Sequence, residues 1–174
     1  EEEVASQAED EGLVKLIHSF PASTERRVIA FGLYGRNPKY TWGAIRNVKL
    51  ASMYFPGWTC RFYITSDVPT DVRDQLVRLG AELKDIPDGL GYVAGMFWRF
   101  LIAADETVDR FIIRDSDSRL NSRDAIAVQE WIYSHRSVHI MRDHVNHCIP
   151  MNGGMWGGTR EAVPNMVELM NSWS

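Results

Sequence analysis

The chain has 174 residues, 45% of them hydrophobic and 24% charged, a mixture that fits one globular domain with a buried core. Its formal net charge is −4 and its Lys and Arg residues are scattered. It therefore lacks the basic stripe that nucleic-acid binding requires, and nucleic acid is not an expected partner. No apolar run approaches the ~20 residues of a membrane span, and the acidic start Glu1-Glu2-Glu3 is unlike a signal peptide.

Residues 1–12 are polar and acidic and read as a flexible tail or a short leading helix, with the domain proper over 13–174. The chain opens without Met, which leaves room for a larger parent protein; the expectation is a soluble domain whose compartment the sequence does not reveal. Arg27 to Leu33 is an apolar run between charge and the Gly35/Pro38 break, the pattern of a strand buried on both faces. From Thr41, the apolar residues Ile45, Val48, Ala51 and Phe55 recur at helical spacing until Pro56-Gly57. Cys60 to Ile64 predicts a second strand, Val72, Leu76 and Leu79 mark a helix ending at Gly80, and Ala81 to Ile86 supplies a third strand. Met96 to Ala103 reads as an apolar helix interrupted by Arg99, and Arg110 to Arg114 as a strand that runs into Asp115-Ser116-Asp117. A helix over Ser122–Ser134 has Asn121 as cap and Asp124 in its first turn. Ser137 to Met141 predicts one more strand, Gly153-Gly154 and Gly157-Gly158 a glycine-rich turn, and Val163 to Met170 a last helix. Cys60 and Cys148 lack metal-ligand or redox spacing and are expected as buried free thiols.

Strands separated by helices of this length imply an α/β domain, a mainly parallel sheet covered on both faces. Ligands of such sheets bind outside the carboxyl ends of the strands, where the loop after the first strand and the acidic segment both lie. Asp115 and Asp117, one residue apart in an extended chain, point the same general way and can address one object. A hard divalent cation, Mn2+ or Mg2+, relieves their repulsion and accepts diphosphate oxygens; a solvated Asp-Ser turn is the competing reading. A calcium-binding EF-hand loop starting at Asp115 would require Asp or Asn at position 119, Gly at 120 and Glu at 126, where the chain has Arg119, Leu120 and Ile126. A haloacid-dehalogenase-type phosphatase would carry Thr or Val where Arg119 stands.

The segments Phe97-Trp98-Arg99-Phe100-Leu101, Arg110 to Leu120, Glu130-Trp131, His139 to His144 and Gly153 to Gly157 form an ordered set. Together, over roughly residues 27–170, they resemble the block pattern of D-x-D glycosyltransferases of the GT-A type. The resemblance implies a single Rossmann-like GT-A domain that moves a hexosyl or deoxyhexosyl group from a nucleotide diphosphate sugar, a UDP sugar, to a hydroxyl of a carbohydrate or glycan acceptor. It implies Asp117 as metal ligand, Asp115 as metal or ribose ligand, and Ser116 beside them. Phe31, Gly32, Leu33 and Tyr34 would cradle base and ribose; for Tyr34, stacking on the base competes with simple packing. Thr65-Ser66-Asp67 would line the same cleft. Arg99 is the candidate to face the diphosphate or a D-x-D carboxylate, with Arg114 its rival. Among His139, His144 and His147, a third metal ligand is sought, with His147 or His144 the candidates. Asp143 is the candidate base for an inverting enzyme or a holder of donor-sugar hydroxyls for a retaining one, with a surface salt bridge as the alternative. Gly153 and Gly154 would let backbone approach the sugar closely, a plain turn being the competing explanation. Two other classes stay open: a sugar nucleotidyltransferase, for which Gly32 to Arg36 is a poor phosphate loop, and a nucleotide-sugar-binding module without turnover.

Overall fold

A computed structural model of the chain describes residues 2–87, 95–142 and 149–172. In chain order the elements are α1 (Glu2–Ser19), β1 (Arg27–Leu33), α2 (Pro38–Tyr54), β2 (Trp58–Ile64), α3 (Thr70–Arg78), β3 (Glu82–Asp85), a 3-10 helix (Trp98–Ala104), β4 (Arg110–Ile113), α4 (Ser122–Ser134), β5 (Val138–Ile140), β6 (Trp156–Thr159) and α5 (Met166–Ser172). The strands form one six-stranded sheet in the order β3-β2-β1-β4-β6-β5. β1 to β4 run parallel, and β6 lies antiparallel to both β4 and β5.

Alternation along β1 assigns the two faces. Ile29, Phe31 and Leu33 join a core with residues of α1, α2, α3 and α4, including Ile17, Val48, Leu76 and Val128. Val28 and Ala30 point the other way, into a second core with Trp98 and Ile102 of the 3-10 helix, Trp156 of β6 and Met166 of α5. Helices thus cover both faces, which is why β1 and β4 are apolar at nearly every position. Asn37 caps α2, its side chain accepting from Lys39 N at 3.0 Å, and Asn121 caps α4, accepting from Asp124 N at 3.0 Å.

Four expectations change. Residues 2–12, read as a tail or a short helix, belong to an 18-residue helix. Met96 to Ala103, expected as a helix, is helical, but Trp98–Ala104 takes the tighter 3-10 form. The last helix starts later, at Met166. Gly157 and Gly158, expected in a turn, lie inside strand β6. There they face β4 so closely that a Cβ on Gly157 would run into Phe111 and Ile112; the neighbouring strand, not a turn, requires them.

The register fixes where the functional loops emerge. Ala30 of β1 pairs with Ile113 of β4, and Arg114 N donates to Ala30 O at 3.0 Å, so the chain leaves the sheet at Asp115, beside the end of β1. On the other side Ile113 pairs with Trp156 antiparallel, which brings Gly154 alongside Asp115. At the opposite edge of the sheet, Arg110 donates to both carboxylate oxygens of Glu25 at 3.1 and 2.9 Å and Arg61 bridges Glu82 and Asp105 at 2.8 and 2.6 Å.

Candidate functional site

Gly32 and Tyr34 after β1, Tyr40 of α2, Gly95, Met96 and Arg99, and Asp115, Ser116 and Asp117 line one cleft of about 260 Å³ at the carboxyl end of the parallel strands. A second concavity, about 240 Å³, lies at the opposite edge among Phe20, Arg27, Tyr54 and Trp58. It gathers no pair of carboxylates and sits at the amino ends of β1 and β2, away from the loops, so the first cleft is the candidate site.

The Asp115-Ser116-Asp117 loop is held from three sides. From α2, Asn47 is 1% exposed and donates through Nδ2 to Ser116 O at 3.2 Å and Ser118 O at 2.9 Å, while its Oδ1 accepts from Leu120 N at 3.1 Å. One turn earlier, Gly43 lets the helix backbone come so near that a Cβ there would collide with the Ser116 carbonyl. From the 3-10 helix, Arg99 donates through Nη1 to Arg114 O at 3.1 Å and pairs with Asp115. From the turn before β6, Gly154 abuts Asp115 so tightly that a Cβ would lie 2.5 Å from its Cγ. Lys39, in the first turn of α2, places Nζ 2.7 Å from Asp117 Oδ2.

The residues expected at this site separate into two groups. Asp115, Ser116, Asp117, Arg99, Gly32 and Tyr34 meet at the cleft, and Gly154 backs it; Gly153 lies against Arg99 and Phe100. Tyr34 meets the edge of Trp98 with ring centroids 6.5 Å apart, so it both packs and lines the cleft. Phe31 and Leu33 do not reach it with their side chains. Both are buried in the core, Phe31 stacked on Phe62 at 4.9 Å, because the alternation that brings Gly32 to the cleft turns its neighbours inward. Arg114 is also withdrawn: it forms a bidentate pair with Asp124 of α4 at 3.0 and 2.7 Å and donates to Ile113 O and Trp156 O. Asp67 accepts from Thr65 Oγ1 and from Gly35 N, tying the loop after β2 to the loop after β1, and those hydrogen bonds hold its carboxyl below the usual range.

His139 is buried and stacked on Trp131 at 5.2 Å. Its Nε2 has no hydrogen-bond partner among the described residues, and burial, reinforced by the Arg114 charge, lowers its pKa to about 4. Asp143, His144, His147 and Cys148 lie outside the described residues. Cys60 is a buried free thiol, pushed up to about 12 by burial.

Five contributors escaped the sequence reading: Lys39, Tyr40, Gly43, Asn47 and Gly95. Lys39, Gly43 and Asn47 recur every four residues, a stripe of small and polar positions down one face of α2. That spacing was the available signal, since a polar residue inside a helix's buried face requires a partner.

A divalent cation fits the donor set. The Asp115 and Asp117 carboxylates are 45% and 27% exposed at one cleft and offer hard oxygens. Among the described residues no group of three or more His, Cys, Asp or Glu side chains converges. Two carboxylates are fewer ligands than a Mg2+ or Mn2+ ion takes, so phosphate and water oxygens would supply others.

No protein-family model matches this chain, and no curated protein matches it by sequence. Solved structures do match. A mannosyltransferase, PcManGT from Pyrobaculum calidifontis, in complex with GDP-Man and Mn2+, superposes with a TM-score of 0.55 at 14% identity, over 91% of this chain and 55% of that one. Glucosyl-3-phosphoglycerate synthase from Mycobacterium tuberculosis, in complex with Mn2+, UDP and glucosyl-3-phosphoglycerate, gives 0.55 at 11% identity over 79% and 58%. A CMP:2-keto-3-deoxy-manno-octonic acid synthetase complexed with CTP gives 0.53 at 13% over 84% and 78%. The likeness is one of fold, the GT-A Rossmann-like arrangement, and the chain spans less than three fifths of the first two structures. Among the described residues no helix is long and apolar enough to cross a membrane.

Proposed function

We propose that this chain is the donor-binding core of a glycosyltransferase that moves a sugar from a nucleotide diphosphate sugar, a UDP sugar, to a hydroxyl of a carbohydrate acceptor with the help of Mn2+ or Mg2+. One observation carries the reading: the two aspartates leave β4 at the carboxyl edge of the sheet, immobilised by α2, Arg99 and Gly154, and share their cleft with Gly32 and Tyr34. The mannosyltransferase and synthase neighbours, whose complexes hold Mn2+ with nucleotide ligands, support it at the level of fold.

Asp117 and Asp115 would hold the cation, which when bound stabilises the negative charge that develops on the departing nucleoside diphosphate. Arg99 fixes Asp115 in one orientation, because its guanidinium is itself held by Arg114 O. Tyr34 and Gly32 receive the nucleoside, the ring against the base and the glycine backbone beside the ribose. Gly154, where a side chain would collide with Asp115, leaves that carboxylate its place, and with Gly153 would offer backbone to the donor sugar. Asp143, outside the described residues, would serve as base for the acceptor hydroxyl in an inverting reaction or hold donor-sugar hydroxyls in a retaining one.

The nucleotidyl-transfer alternative has its own observation, the synthetase bound to CTP among the structural matches. Products separate the two: free UDP formed with acceptor supports glycosyl transfer, pyrophosphate supports nucleotidyl transfer, and binding without either supports a module lacking turnover. The first experiment is a thermal-shift screen of nucleotide sugars with and without Mn2+, repeated on Asp117→Ala. Metal-dependent stabilisation by one nucleotide family in the parent, weakened in the variant, is the expected result. No shift of the parent by any nucleotide sugar at saturation would overturn the reading.

A further inference from the structure

Each aspartate of the cleft already has a basic partner, and the two partners differ in kind. Arg99 is 11% exposed, hydrogen-bonded to Arg114 O and set over the Phe100 ring at 5.8 Å, so withdrawing it would strand a charge in a largely buried position. Lys39 is 62% exposed, carries its charge on a flexible four-carbon stem, and meets Asp117 at 2.7 Å with its Nζ 5.3 Å from the Tyr40 ring centre. The first pair is built in; the second is an exposed contact of the kind that breaks at little cost.

We infer that Lys39 is an exchangeable counter-cation for Asp117, vacating that carboxylate when a divalent ion arrives and moving to the donor diphosphate. The inference rests on the metal-assisted reading of the cleft and adds an order of events to it. A divalent ion on its own competes with the Lys39 ammonium for Asp117 and leaves that ammonium beside a like charge. When a nucleoside diphosphate is present, the displaced ammonium gains phosphate oxygens as its new partners, and the repulsion is relieved. Lys39 thereby couples the two ligands: each binds more tightly in the presence of the other, and by linkage the two enhancements are equal. Without nucleotide the site is protected from filling with metal alone, and Asp115, compensated by the largely buried Arg99, is left as the orienting carboxylate while Asp117, paired with the exposed Lys39, is the one that exchanges partners.

The test is calorimetric titration of Mn2+ alone into the full chain, Lys39→Met, Lys39→Arg and Asp117→Asn, then the same titrations in saturating UDP. Lys39→Met is expected to bind Mn2+ alone about fivefold more tightly than the parent, the equivalent of ~1 kcal/mol, and UDP is expected to strengthen Mn2+ binding less in this variant than in the parent. Lys39→Arg, which keeps the charge, should stay near the parent. Because the side chain is exposed, circular dichroism of Lys39→Met should match the parent. Equal affinity of parent and Lys39→Met for Mn2+ alone, with binding abolished in Asp117→Asn, would overturn the counter-cation while leaving the metal site standing. An Arg variant that binds Mn2+ alone as tightly as the Met variant would overturn it as well. Absence of Mn2+ binding by every protein, with and without UDP, would remove the metal-assisted reading and this inference together.

Discussion

Arg99 and Arg114 flank the same strand end, and sequence alone allowed either to serve the acidic loop. Their surroundings separate them: Arg114 is 2% exposed and paired bidentately with Asp124, itself 9% exposed, whereas Arg99 reaches the cleft. Replacing Arg114 by Met leaves the Asp124 carboxylate buried without its partner, and we expect a loss of about 3–5 kcal/mol in denaturant unfolding. Arg99→Met should unfold much closer to the parent while losing most of the nucleotide-sugar-induced thermal shift, since what it removes is the orientation of Asp115. An equal stability loss in the two variants would reject this division of roles. His139 adds a pH dependence. Its folded pKa of about 4 lies below its ordinary value of 6.5, so the unfolded chain takes the proton first. Its contribution is therefore complete above pH 6.5 and is lost as pH falls from there to about 4, by an amount on the order of 3 kcal/mol. A His139→Gln variant should show a flatter stability profile across that window in urea titrations, and an unchanged slope would show that another group titrates there.

The cleft depends on α2 as an element. Asn47 makes three hydrogen bonds to the acidic loop and its sequel, and Asn47→Ala would leave a buried N–H of Leu120 and the carbonyls of Ser116 and Ser118 without this partner. A loss of about 2–3 kcal/mol is expected, together with weaker Mn2+-dependent stabilisation by nucleotide sugar. Gly43→Ala tests the same contact from the opposite direction. Helix propensity alone would favour Ala by about 1 kcal/mol, but the added methyl meets the Ser116 carbonyl. A more stable Gly43→Ala protein with full ligand response would show that the close approach is unimportant; a damaged ligand response is the expected outcome. Local pattern and tertiary pattern were not equally readable here. The ends of β1 and α4 and the Asn121 cap follow from apolar runs and capping chemistry, which act between near neighbours in sequence, and so they were legible. Strand β6 was not, because Gly157 and Gly158 carry no strand preference and are placed only by their pairing with β4. The same limit applies to Asn47, whose partners lie about seventy residues away, and to Phe31, whose position next to a cleft residue did not show which way its side chain turns.

The molecule as a whole is polarised along its strands, with charge pairs pinning the amino edge of the sheet and the cleft occupying the carboxyl edge. Glu25 belongs to the pinned edge: Arg110 and then Arg27 hold its carboxyl near 2, below the ordinary 4.5. A depressed carboxylate pKa contributes stability that is present above about pH 4.5 and fades as pH falls toward 2, so Glu25→Gln should lower stability at pH 7 and lose this difference from the parent near pH 2. Glu25 is a third exposed, and solvent screening limits the loss at pH 7 to about 1–2 kcal/mol. Glu25 and Arg110 sit at the start of β4 and the aspartates beyond its end, and contributions of separated sites add. A saturating UDP sugar with Mn2+, at a hundred times its Kd, should raise stability by about 2.7 kcal/mol, or the melting temperature by roughly 5–10 °C for a chain of this size. Glu25→Gln should melt lower than the parent with that increment intact, whereas Asp117→Ala should melt near the parent with the increment lost. If Glu25→Gln also lost the increment, the sheet would be transmitting strain from its pinned edge to the cleft, and a rigid scaffold carrying an independent site would no longer describe this molecule.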